Sequence, residues 1–321
     1  MNQYISRRDV LRAGAATVGT GVAGGLAGCE QAEQFTGGED DADAEPADET
    51  ETESGTDSDT GGTVAQYWTW LPQPDAFDTG HYSFESIDYG VVRDHESEFN
   101  PEVYDSYADK ALFSELELAF ADLDHGIEIG PASETSPAIV TGSFSADDIA
   151  DRLTELGYAE GPTVGEYSVY GGDAEIGVTD GTLVYAENAA ADYVRTLIRT
   201  RNGELTRYTA TSADMTSLVE RFGSETFVYG STNDAYTEAE HDPEGGQFAG
   251  QVGIGWGDTV RGETTSVEIA ILFETVADVD MDAISQYTDS DLFAAYDSVS
   301  SAQDGRTAVV SGIVPTDELY S

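Results

Sequence analysis

Sixty-three acidic residues against thirteen basic ones limit what this chain can fold into. The formal net charge is −50 over 321 residues, and Lys110 is the only lysine. Two kinds of chain tolerate such a charge. One is too polar to bury a core and stays disordered. The other folds, but only where salt screens its surface. The distribution along the chain separates the two. Residues 30–62 hold 13 acids, no Lys or Arg, and one aromatic, Phe35. This composition predicts a disordered acidic tether over 29–62. Residues 63–321 hold 49 acids and 10 bases, yet they carry most of the Tyr, Phe, Ile and Leu in periodic runs. They read as a folded body, which at about 1 M salt has a screening length of only about 3 Å to contend with. Nucleic acid is excluded as a partner, because phosphate recognition runs on Lys and Arg patches.

The body reads as α+β, with antiparallel sheets and packed helices. It opens with Tyr67-Trp68-Thr69-Trp70-Leu71-Pro72-Gln73-Pro74, which holds two of the three tryptophans. Such a cluster is either a ligand platform or, as favoured here, a plug of buried aromatics against the core. A strand is expected from His81 and a helical stretch over Pro101–Leu123. Ile139–Phe144 reads as a strand, and Ser145-Ala146-Asp147-Asp148 resembles a capping box. Ile149, Leu153 and Leu156 then recur on one helical face, and Gly157 is a natural stop. Tyr167 and Val169 begin a further strand, Asp180-Gly181 marks a hairpin, and Val194, Leu197 and Ile198 mark a second helix. The order β-α-β-β-β-α is close to a split β-α-β layout.

A related order follows. A helix is expected over Ala213–Phe222, then the strand Phe227-Val228-Tyr229. Val267, Ile269, Ile271 and Phe273 alternate with polar residues, which predicts one buried face and one wet face. A helix near Met281–Tyr287 and a strand pair around Asp304-Gly305 complete the chain. Phe144 to Tyr158 and Phe273 to Tyr287 share one spacing, although Ile149 then falls opposite Asp278. The expectation is two related ferredoxin-like halves, 63–205 and 206–321.

Ahead of the tether, Arg7, Arg8 and Arg12 precede a mildly apolar run that ends at Cys29, the only cysteine. The run Ala13–Gly28 is short for a membrane span and holds six glycines, which are poor helix formers. A charged front, an apolar middle and small residues at the end are the parts of a signal peptide. Ser6-Arg7-Arg8-Asp9-Val10-Leu11 resembles a twin-arginine export motif, with Val10 where Phe is common. Leu26-Ala27-Gly28-Cys29 resembles a lipobox. Together they imply that residues 1–28 are a removable address, that Arg7, Arg8 and Leu11 are read by export machinery, and that Cys29 carries a lipid. A two-chain lipid on one cysteine would meet the need of stable anchoring for more than one chain. By the random-coil rule a tether of this length reaches about 30 Å. Scarce lysine with abundant Asp, Glu and Thr resembles proteins of halophilic archaea. The body is similar to secreted haloarchaeal lipoproteins in Trp70-Leu71-Pro72, in Gly142-Ser143-Phe144 and in Asp304-Gly305-Arg306-Thr307-Ala308-Val309-Val310. That resemblance implies location and no particular activity.

Chemistry is sparse in the sequence. The four histidines are His81, His95, His125 and His241. His95-Glu96 begins a zinc-binding His-Glu-x-x-His pattern, but Phe99 stands where the second His belongs. Asp122-Leu123-Asp124-His125 is a local cluster of a kind common in so acidic a chain. Asp278-Val279-Asp280-Met281-Asp282 imitates half a calcium loop, with Ala283 in place of the turn glycine and Asp289 in place of the last Glu. It reads better as a helix N-terminus. Gly253-Ile254-Gly255-Trp256-Gly257 reads as a hairpin or bulged strand. There is no Gly-x-Ser-x-Gly elbow, no Walker loop and no Cys-x-x-Cys. No cofactor, metal or catalytic residue is therefore assigned. The expected role is a non-enzymatic envelope or binding protein, with other envelope components as candidate partners. One alternative is an extracellular hydrolase that brings His95 or His125 to two carboxylates. Another is a transporter's substrate-binding lipoprotein, whose class shows two α/β lobes.

Overall fold

A computed structural model describes residues 67–108, 111–130, 137–187, 192–223 and 225–319. The export and lipidation residues Arg7, Arg8, Leu11, Leu26, Ala27, Gly28 and Cys29, and the segment 29–62, lie outside the described residues.

The body is α+β and is built on one antiparallel sheet of twelve strands. The strands are β1 (Ser83–Asp88), β2 (Leu123–Gly130), β3 (Ala138–Gly142), β4 (Ala159–Glu160), β5 (Ser168–Gly171), β6 (Ala174–Thr179) and β7 (Thr182–Glu187). They continue as β8 (Phe227–Thr232), β9 (Gln251–Val260), β10 (Thr264–Phe273), β11 (Ser298–Asp304) and β12 (Thr307–Pro315). Seven α-helices are described: α1 (Tyr89–Asp94), α2 (Pro101–Ala108), α3 (Ala111–Glu115), α4 (Ala146–Glu155), α5 (Tyr193–Arg201), α6 (Ala213–Arg221) and α7 (Met281–Thr288). None is long and apolar enough to cross a membrane.

Across the sheet the order is β11-β12-β10-β9-β8-β1-β2-β3-β7-β6-β5-β4. The order carries an internal echo. A three-strand meander β1-β2-β3, helix α4 and a returning hairpin β6-β7 match β8-β9-β10, α7 and β11-β12. The two runs meet where β1 pairs with β8. Each run holds the expected split β-α-β unit. Strands β3 and β6, joined through α4, run parallel with β7 inserted between them, and β10 and β11, joined through α7, run parallel with β12 between them, so that every neighbouring pair is antiparallel. The shared Phe–Tyr spacing does not mark equivalent positions. Helix α4 starts almost directly after Phe144, whereas a 3-10 turn (Val276–Asp278) separates Phe273 from α7.

Both faces of the sheet are covered. Helices α1, α2, α3, α4 and α7 bury Tyr89, Val92, Tyr107, Phe113, Ile149, Leu153, Ile284 and Tyr287 on one face. The opening 3-10 turn with α5 and α6 buries Tyr67, Trp70, Leu197, Ile198, Met215 and Leu218 on the other. The aromatic opening is thus a plug, with Tyr67 stacked on Phe84 at 5.0 Å between ring centroids. Strand β10 departs from its expected wet face: Val267, Ile269, Ile271 and Phe273 feed one cluster, and Ala270 and Leu272 feed the other. The helix expected over Pro101–Leu123 is broken. Glu117 takes a left-handed φ of 57° and the chain turns into the 3-10 segment Phe120–Asp122.

Local signals in the sequence explain most element ends. The Ser145 hydroxyl accepts from the Asp148 N–H at 3.4 Å, and Ser212 caps α6 through Met215 N at 3.1 Å. The hairpin turns at Gly181 and Gly305 have φ of 68° and 60°, the left-handed region that glycine favours.

Candidate functional site

The loop between β8 and β9 crosses the end of the sheet and folds back on itself. Tyr236 N–H donates to the Gln251 carbonyl at 3.1 Å, and Gly250 N–H returns to Tyr236 O at 2.8 Å. Asp242 and Gln247 bridge the loop's arms. Gly250 has φ of 77°, and a Cβ there would press on the Asp278 side chain, so the loop and the start of α7 need a glycine at their contact.

Between them lies a cavity of about 370 Å³, lined among others by Tyr236, Glu238, His241, Phe248, Asp278 and Asp280. Phe248 and Phe273 are buried at its floor. The polar groups of the rim are held in place by backbone. His241 Nδ1 accepts from the Ala249 N–H at 3.1 Å, which puts the neutral ring's proton on Nε2. The Asp278 carboxylate accepts from Thr275 N–H at 2.9 Å and from its hydroxyl at 2.7 Å, completing a capping box. Asp280 caps α7, accepting from Asp282 and Ala283 N–H at 2.9 and 3.2 Å. The Asp278–Asp282 run is therefore a helix N-terminus, as its missing turn glycine implied. Burial raises the Tyr236 phenol above its ordinary range, with help from the Glu240 charge. The arrangement can grip a small solute through an aromatic floor and a fixed carboxylate and imidazole rim. It does not group three His, Cys, Asp or Glu side chains for a metal, and no such group occurs among the described residues.

The other histidines are placed elsewhere. His81 Nε2 lies 3.2 Å from the Asp234 carboxylate, and its Nδ1 lies 3.3 Å from the Thr232 hydroxyl. Tyr208 OH shares a 2.5 Å hydrogen bond with Thr232. A hydroxyl, an imidazole and a carboxylate in line is the order of nucleophilic catalysis. Here Thr232 is only 4% exposed and the Asp234 side chain is 91% exposed, so the hydroxyl is shut away and the ion pair is in water. The cluster instead ties the 3-10 turn Tyr208–Ala210 to the end of β8. His125 meets one carboxylate, Asp88, at 3.9 Å. Asp88 is already the N-cap of α1 through Val91 N–H. His95 sits at the C-terminus of α1. Neither His95 nor His125 lines the cavity. Asp278 and Asp280 stand out in the sequence as half a calcium loop, whereas nothing there marks His241 or Glu238. Their loop has no periodic pattern, and only the strand pairing around it brings them to α7.

No family model matches the chain, and no curated protein matches it. Among solved structures it is similar to crystal form III of TP0453, at 8% identity and a TM-score of 0.50, over 81% of this chain and 98% of that one. Crystal forms I and IV of TP0453 match at 10% identity, each with a TM-score of 0.48. At such identity the likeness to form III is one of fold.

Proposed function

We propose that this chain is an exported, lipid-anchored surface protein of a halophilic archaeon whose body binds a small solute. The cavity beside α7 carries the binding half of this reading. Its rim carboxylates and imidazole are already committed to holding backbone N–H groups, which fixes them as a preorganised rim and suits recognition more than proton transfer. Carboxylates above an aromatic floor favour a solute with an apolar body and a cationic group. The anchoring half rests on the order of Arg7-Arg8 and Leu26-Ala27-Gly28-Cys29 ahead of an acidic tether. A hydrolase built on His95 or His125 loses support from their separation from the cavity. A transporter's binding component is disfavoured by the single antiparallel sheet.

Two measurements test the two halves. Intact mass and cell fractionation read the anchor: the native protein should lack residues 1–28, carry added lipid and pellet with membranes. Cys29→Ser should leave it unlipidated and release it from the membrane. A Cys29→Ser protein that stays membrane-bound sinks the anchor. Tetramethylammonium chloride, titrated against sodium chloride at matched ionic strength, reads the cavity. Saturable amide shifts confined to residues such as Gly250 and Ala277, weakened in Glu238→Gln, are expected. Uniform or absent shifts count against this ligand class.

A further inference from the structure

The two edges of the sheet are built differently. Strand β4 is two residues long, ends in Glu160 and is followed by Pro162, which is how natural edges are kept from pairing. Strand β11 has fewer of these protections. It runs seven residues, Ser298-Val299-Ser300-Ser301-Ala302-Gln303-Asp304, without proline. Its register with β12 is continuous, without a bulge. All but Val299 are exposed. Its one carboxylate, Asp304, pairs with Arg221 Nη2 at 2.8 Å, and the same guanidinium holds Glu268 at 3.0 Å.

The absence of charge is unusual on this molecule. Residues 63–321 carry 49 acids, about one in five, and most of the exposed surface shares them. The hairpin 298–316 carries one acid and one base. Elsewhere neutral runs are buried, as in β8, whose six residues are all buried. On β11 the neutral run faces water. Two of the few exposed large apolar residues flank it: Val276, 60% exposed, and Ile313, 42% exposed. The Val276 carbonyl accepts from Gln303 Nε2 at 3.4 Å, and Ile313 lies opposite Ser298 in the ladder.

We infer that the β11 edge is a strand-pairing interface and that its occupant is a second copy of this chain, joined antiparallel about Ser301. That register overlaps the whole strand. It sets Ser298 of one copy opposite Asp304 of the other, and Ser300 opposite Ala302, with no like charges facing each other. The pairing is isologous, as a two-fold dimer requires. The heavy net charge of the rest of each body means that it forms where salt is high.

The single native cysteine makes a direct test possible. In the full chain carrying Cys29→Ser, a Ser301→Cys substitution places both thiols on the two-fold axis. Antiparallel partners there have Cα atoms about 4.5–5.5 Å apart, within disulfide reach. Ser298→Cys on the same edge leaves its two copies about 20 Å apart, from six residues at about 3.3 Å each. At about 1 M salt, sedimentation of the Cys29→Ser chain should give a dimer. Mild oxidation should then cross-link Ser301→Cys and spare Ser298→Cys, with circular dichroism unchanged in both. A monomer, or cross-linking of both variants, of neither, or of Ser298→Cys alone, overturns the proposal.

Discussion

Gly142 shows how tightly single residues are specified. It ends β3 directly beneath the 3-10 turn, where Ser143 N–H donates to the Asp122 carbonyl at 2.7 Å. A Cβ at Gly142 would land on that same carbonyl oxygen, which is backbone and cannot swing aside. Gly142→Ala should therefore destabilise the body by about 1–3 kcal/mol, the usual cost of overpacking, as read by denaturant midpoints at fixed salt. Glu240 offers a gentler test. Its carboxylate accepts from the Thr237 N–H at 2.8 Å and from the Thr237 hydroxyl at 2.7 Å, and these bonds hold its pKa below the ordinary value. A depressed carboxylate pKa adds stability above the unfolded value and loses it as pH falls through the folded one. Carbon-detected titration should find Glu240 ionising below the ordinary glutamate value. Thr237→Val should move it back up, and an unchanged Glu240 in that variant would refute the assignment.

Helix α4 is set by two caps from different places. Ser145 serves the Asp148 N–H, and Asp180, from the β6–β7 turn, accepts from the Ala146 N–H at 2.9 Å. Asp180 is thus part of the helix as well as of the hairpin. Ser145→Ala and Asp180→Ala should each cost about 1 kcal/mol, and the pair should be non-additive, since both serve one helix end. Strict additivity in thermal melts would separate the two caps. The Ser145 half of this was legible in the sequence, because capping is local, and so were the glycine turns at 181 and 305. The partner Asp180 was legible only as a turn residue, because its helix lies across a strand pairing. The same limit hid the single twelve-stranded sheet. Alternation in Val267–Phe273 reports that one face is buried, but it cannot report that α6 covers the other through Leu218 and Met215. The cavity was the least legible feature, since His241 and Glu238 reach α7 on an aperiodic loop.

At the scale of the molecule, charge and phenols govern stability in opposite pH and salt ranges. Sixty-three acids against thirteen bases repel through water, so the unfolding midpoint should climb steadily from about 0.1 M to about 1 M salt as the screening length falls from about 10 to about 3 Å. A flat response would mean that the carboxylates are matched locally. The alkaline limit comes from the core. Burial lifts the phenols of Tyr67, Tyr82 and Tyr287 well above their ordinary pKa, with the charge of Glu225 adding to it for Tyr67. The unfolded chain releases these protons near pH 10, so the stability they represent is whole below that pH and drains away as pH rises above it. Ionisation also ends the hydrogen bond from Tyr67 OH to the Phe222 carbonyl, which spans the fold, and the local one from Tyr82 OH to the Pro72 carbonyl at 2.6 Å. Phenolate absorbance should therefore rise in two stages, first from accessible rings with the circular dichroism intact, then from the buried rings in one step with its loss. Tyr287→Phe keeps the ring in its packing with Phe293 and Phe248, removes one late proton and should move that second step to higher pH. A single smooth titration with the fold retained would mean that these rings are open to hydroxide and that the aromatic core is looser than its packing.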